Sequence, residues 1–137
     1  MDEFDDIIKE FLVESYEGLD QLDLDLVALE DAPEDRDCLE SIFRAVHSMK
    51  GASGFLALPK LERVAHVGEN LLVPLRDGDL KLNRDIADGL LGMVDALRDI
   101  LENIEADGSE GDADYEKLAS RLVGLLEGDA SSAGGEN

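Results

Sequence analysis

The chain has no tryptophan, one cysteine and three prolines, and its basic residues are outnumbered 34 to 12 by acidic ones. Each shortage removes a class of answer. With aromatics at 4% of the residues, the core must be built from Leu, Ile, Val and Ala, which suits helices packed on helices. Cys38 has no second cysteine to pair with, so no intrachain disulfide argues for secretion, and a reducing, cytoplasmic setting is expected. No basic stretch leads into an apolar one at the N-terminus, and no run of about 18 apolar residues exists that could span a bilayer. Membrane insertion is therefore not expected. A net charge of −22 repels a nucleic-acid backbone over the whole surface and excludes direct nucleic-acid binding. The same charge is compatible with basic partners and with a salt-rich cytoplasm, where screening relieves self-repulsion.

What is present is enough for one domain. A chain of 137 residues, 44% of them hydrophobic, buries roughly 70% of the surface its unfolded form exposes, with no disulfide or metal staple required. Phe4, Ile7, Ile8, Phe11, Leu12, Leu19, Leu22, Leu26 and Leu29 recur at spacings of three and four, which predicts one amphipathic helix over about 3–30. Pro33 and the acids around it mark a stop and a new start. Leu39, Ile42, Phe43, Val46 and Met49 form the stripe of a second helix, expected to weaken at Gly51 and Gly54. Pro59 opens a third helix carrying Leu61, Val64, Ala65, Gly68, Leu71 and Leu72, with a kink or early end expected at Pro74. Asn83 is placed to cap a fourth, long helix through Ile104, in which Gly89 and Gly92 lower the intrinsic propensity by about 1 kcal/mol each. Residues 105–113 read as a solvated loop, and Asp114 as the cap of a short fifth helix. Residues 128–137 read as a flexible linker, as if this were an excised N-terminal module. The expected architecture is all-α: an antiparallel up-and-down four-helix bundle over residues 1–127 with an additional C-terminal helix.

The two histidines carry the chemistry in this reading. His47 and Lys50 lie one turn apart on the second helix, and His66 and Glu69 one turn apart on the third. If those helices form an antiparallel hairpin about residues 54–58, the four polar groups converge on one patch. A Glu69 carboxylate accepting the Nδ1 proton of His47 leaves the Nε2 lone pair open as a nucleophile, and Lys50 offsets negative charge on an incoming phosphoryl group. Gly51 and Gly54 offer little side chain beside the imidazole, so a partner's active site can approach. Taken singly, each residue has a plainer reading: a surface histidine, a solvated cation, a solvated anion, a helix C-terminus. A zinc site on His47, His66 and Glu69 would place three ligands beside an ammonium, a poor first shell. No resident cofactor or metal is expected.

The run His47-Ser48-Met49-Lys50-Gly51-Ala52-Ser53-Gly54-Phe55-Leu56, preceded by Phe43-Arg44 and followed by Ala65-His66-Val67-Gly68-Glu69-Asn70-Leu71-Leu72, resembles the N-terminal histidine-phosphotransfer (HPt) domain of CheA-type chemotaxis histidine kinases. The resemblance covers residues 4 to about 127. It implies that His47 accepts a phosphoryl group from ATP held by a separate kinase domain, on the same polypeptide or a dimer mate, and passes it to an Asp of a response-regulator receiver. It also implies roles for Glu69, Lys50 and His66 in the network around that imidazole. Ala57 stands where the family often has Gly, a change expected to matter little. No Gly-x-x-x-x-Gly-Lys-Ser/Thr loop is present, so the chain alone is expected to be a phosphoryl carrier and not a complete kinase. Two alternatives remain open at this point: an HPt domain of a hybrid-kinase phosphorelay, and a non-catalytic acidic interaction bundle.

Overall fold

The fold was obtained as a computed structural model that describes residues 3–135, with side chains from 5 to 127. Phe4, expected in the first apolar stripe, and the side chains of the 128–137 stretch lie outside the described residues. Five helices follow in order: α1 (Glu3–Asp31), α2 (Arg36–Phe55), α3 (Pro59–Asp77), α4 (Arg84–Asp107) and α5 (Glu116–Gly135). No strand occurs among the described residues. Short connections make α1 to α4 antiparallel neighbours. α2 packs on α1 and α3, α4 closes the ring against α1 and α3, and α5 lies across α3 and α4. Leu19, Leu22, Ile42, Leu61, Leu71, Leu72, Leu90, Leu97 and Ile100 are fully buried between them. Ile7, by contrast, sits at the edge of its stripe and is 43% exposed.

Glycine makes room where helices meet. A Cβ on Gly68 of α3 would run into Met93 Sδ of α4, and Cβ atoms on Gly89 and Gly92 would meet Leu125 and Leu118 of α5. The two glycines that weaken α4 as a helix are thus where α5 presses against it, and packing offsets their low propensity.

The caps are partly local and partly not. Asp35 accepts from the backbone N–H groups of Asp37 and Cys38, and Asn83 from that of Ile86 at 2.8 Å. Leu58 gives α3 no side-chain cap. Glu110, from the connection between α4 and α5, supplies it instead, accepting from Lys60 N–H at 3.2 Å and Leu61 N–H at 2.8 Å. Lys60 Nζ returns the contact, donating to the carbonyls of Gly111 and Ala113 at 2.7 and 2.8 Å. The stretch expected to be a solvated loop is therefore pinned to the start of α3.

Three further expectations are corrected. α2 does not yield at Gly51 or Gly54 but runs to Phe55, because buried Met49, Ser53 and Leu56 anchor its last turns and Ser53 Oγ donates to the Lys50 carbonyl at 2.9 Å. α3 does not end early at Pro74 but continues to Asp77: the bond to the Asn70 carbonyl is lost, buried Leu75 holds the turn, and Gly78 at φ 84° closes the helix. Ala57 sits in the α2–α3 turn at φ 60°, a conformation that favours glycine, so its departure from the family pattern does matter locally. The helical assignment of α5 runs to Gly135 and so overlaps the stretch read as linker.

Candidate functional site

His47 projects from α2 at the edge of its apolar stripe, with Val46 and Met49 turned inward and its own side chain 59% exposed. Its Nδ1 lies 2.8 Å from Glu69 Oε2 on α3. The other carboxylate oxygen, Oε1, pairs with Lys50 Nζ at 2.6 Å. Glu69 is 9% exposed, so it is not the solvated anion of its plainer reading but a buried carboxylate reached by two cation-forming groups from α2. Burial pushes its carboxyl up, and the hydrogen bonds and charges of Lys50 and His47 outweigh that and hold it below the ordinary carboxylate value. It is therefore ionised at neutral pH. An ionised carboxylate only accepts, so the Nδ1 facing it carries a proton, and in the neutral ring it is Nε2 that keeps the lone pair. Nε2 has no protein partner among the described residues.

The structure brings three of the four polar groups together. His66 is exposed and makes no hydrogen bond or ion pair with the others among the described residues. At 3.6 residues per turn it lies about 60° further from the buried face of α3 than Glu69, enough to turn it to solvent. Gly51 is exposed, and a Cβ there would meet nothing within 4 Å; at Gly54 it would lie 3.1 Å from Glu62 Oε2, so only Gly51 borders open space. Among the described residues, no group of three His, Cys, Asp or Glu is placed to hold a metal ion. Cys38 offers no competing nucleophile, since burial and the carboxylates of Asp35 and Asp25 push its thiol up, away from thiolate.

Two contacts at the site were not read from the sequence. The ring of Phe43, one turn before His47, stacks on the imidazole with centroids 5.6 Å apart and planes within 15°. The guanidinium carbon of Arg76, in the last turn of α3, lies 4.3 Å from the centroid of the Phe43 ring. The spacing of Phe43 and His47 was a signal for the first contact. The second depends on α3 continuing beyond Pro74.

Residues 6–107 match the Hpt domain family. The chain is 39% identical to the sensor histidine kinase CheAY of Helicobacter pylori over 93% of its own length and 16% of that protein. It is 32% identical to the chemotaxis protein CheA of Borreliella burgdorferi over 90% of its length and 14% of that protein, so it spans a small part of either relative. Among solved structures, it is similar to the phosphorylated P1 domain of CheA3 in complex with CheY6 from R. sphaeroides, with a TM-score of 0.80 and 29% identity over 90% of this chain and 97% of that one.

Proposed function

This chain belongs to the Hpt domain family, and on that premise we propose that it is the phosphotransfer module of a chemotaxis-type histidine kinase, with His47 as the phosphoryl acceptor. Nε2 of His47 attacks the γ-phosphorus of ATP held by a kinase domain. The new N–P bond forms as the bond to the bridging oxygen breaks, and ADP leaves with that electron pair. The ring, which retains its Nδ1 proton, gains positive charge that the Glu69 carboxylate offsets at 2.8 Å. In the second step an Asp carboxylate of a response-regulator receiver attacks the phosphorus, and the N–P pair returns to Nε2. Lys50 serves as a point charge that holds Glu69 and faces the phosphoryl oxygens. His66, exposed one turn before Glu69 on α3, meets the partner, and Gly51 leaves the approach low, with Gly54 beyond it. The carrier unit is residues 1–127, and 128–137 lead to the rest of a cytoplasmic kinase. No helix of the described residues is long and apolar enough to cross a membrane.

The observation that carries this reading is the buried Glu69 carboxylate 2.8 Å from His47 Nδ1, with Nε2 left without a protein partner among the described residues. The test is to incubate the chain with a chemotaxis-kinase catalytic core, lacking its own phosphotransfer domain, and labelled ATP. The wild type is expected to take up label and pass it to a receiver, while His47→Gln folds with the same helix content and stays unlabelled. Equal labelling of the two proteins would sink the assignment. A partner lost on reversing surface carboxylates, with His47 dispensable, would favour the acidic interaction bundle.

A further inference from the structure

A phosphoryl acceptor needs its lone pair aimed, and one hydrogen bond does not aim a ring. The bond from Nδ1 to Glu69 fixes one atom of the His47 imidazole, while the torsion that swings the ring plane is broad for histidine. Because the side chain is 59% exposed, few other contacts restrain it. Phe43 supplies the second restraint. Its ring is near parallel to the imidazole, within 15°, at a centroid separation of 5.6 Å that lies in the range of offset stacking. One fixed atom and one fixed plane together set the direction of the Nε2 lone pair, which lies in that plane.

Phe43 is itself held. It packs partly against the core, and Arg76 reaches from α3 to place its guanidinium over the ring at 4.3 Å. Arg76 is fixed in turn by Asp77 Oδ1 at 3.1 Å and Glu40 Oε1 at 3.8 Å, and its side chain is 27% exposed. Glu40 also takes Arg44 Nε at 2.8 Å. The stack thus bridges α2 and α3, one turn before His47 on α2.

We propose that Phe43 and Arg76 are positioning residues for the reaction: Phe43 sets the plane of the His47 imidazole and Arg76 holds Phe43 in place. The inference rests on the reading of His47 as phosphoryl acceptor, but part of its test does not need that reading. Phe43→Leu keeps an apolar side chain and removes the flat face. It is expected to lower the rate of His47 phosphorylation at saturating kinase core and ATP about tenfold, with KM unchanged, because small misplacement of a reacting atom is costly. Phe43→Tyr keeps the face and is expected to retain the wild-type rate. In the free chain, side-chain NMR is expected to show one ordered His47 ring in the wild type and Phe43→Tyr, and an averaged ring in Phe43→Leu. Wild-type rate and ring order in Phe43→Leu would overturn the proposal, as would an equal loss in Phe43→Tyr. Should Phe43→Leu fail to fold, Arg76→Met decides by the same two readouts, with a loss of about threefold in rate and partial averaging of the ring expected. An unlabelled wild type would remove the functional reading, whereas the ring-order comparison would still decide the positioning.

Discussion

Glu69 holds two groups from the neighbouring helix with one buried carboxylate, and its ionisation is coupled to the fold. Its native pKa lies below the ordinary value of 4.5. Between those two values the unfolded chain binds more protons than the native one, so stability rises with pH across that window and levels off above it. The contribution is complete above about 4.5 and is lost as pH falls through the native value. Glu69→Gln keeps the shape but removes the charge and leaves one accepting oxygen where Lys50 and His47 each had their own. A cost of about 1–3 kcal/mol is expected at neutral pH. Denaturant titrations of both proteins should show that gap shrinking as the pH is lowered below 4.5; a gap that stays constant would show that the carboxylate charge is not what stabilises the pair. The pairing of His47, Lys50 and Glu69 was legible because all three obey helical spacing about a hairpin turn. The burial of Glu69 was not, since an acid between apolar residues reads as the edge of a stripe until the facing cation is in place. His66 shows the opposite error: it shares Glu69's spacing but lies beyond the angle at which α3 still faces α2.

The hairpin of α2 and α3 is what brings those residues together, and its turn contains a local strain. Ala57 adopts φ 60°, where an L side chain costs about 1–2 kcal/mol, yet the turn is closed by the Ala57 and Leu58 N–H groups bonding to the carbonyls of Gly54 and Ser53. Ala57→Gly relieves that strain at an entropic cost of about 0.5–1 kcal/mol in the unfolded chain. A net gain of about 0.5–1 kcal/mol is expected, read as a higher denaturant midpoint at unchanged slope. A lower midpoint would show that the turn is relaxed as it stands. Element ends divide by how local their signals are. Asn83 could be read as a cap because its partner, the Ile86 N–H, is one turn away. Glu110 could not, because the N–H groups it caps lie on α3, about 50 residues earlier in the chain, and nothing in their own segment names the acceptor. Gly51, Gly54 and Pro74 were overweighted as breakers because propensity is a weak prior once buried neighbours such as Met49, Leu56 and Leu75 hold the turn.

Across the whole molecule, the net charge of −22 sets the terms on which helices can be tied together. Cations are scarce, so Arg98 of α4 serves both Asp20 and Asp23 of α1, at 3.4 and 2.8 Å. Tyrosine takes part of the same duty without adding charge. Tyr16 donates from α1 to Glu105 of α4 at 3.1 Å, and Tyr115, just ahead of α5, donates to Asp99 of α4 at 2.5 Å. Burial first, then the hydrogen bond to the facing carboxylate, pushes each phenol up from 10.0 to about 12. A raised phenol pKa means that the native chain holds its proton more tightly than the unfolded chain. The stabilisation is therefore complete below 10 and is lost as pH rises from there toward 12. Ionising either phenol also sets an anion against an anion on a chain already short of cations. With two tyrosines and no tryptophan, ultraviolet tyrosinate absorption reads these residues alone. In a pH titration it should rise near 10 in denaturant but near 12 in buffer, with helical circular dichroism falling over the same interval. Tyrosinate appearing near 10 while the helices stay intact would mean that neither phenol ties its helix to α4.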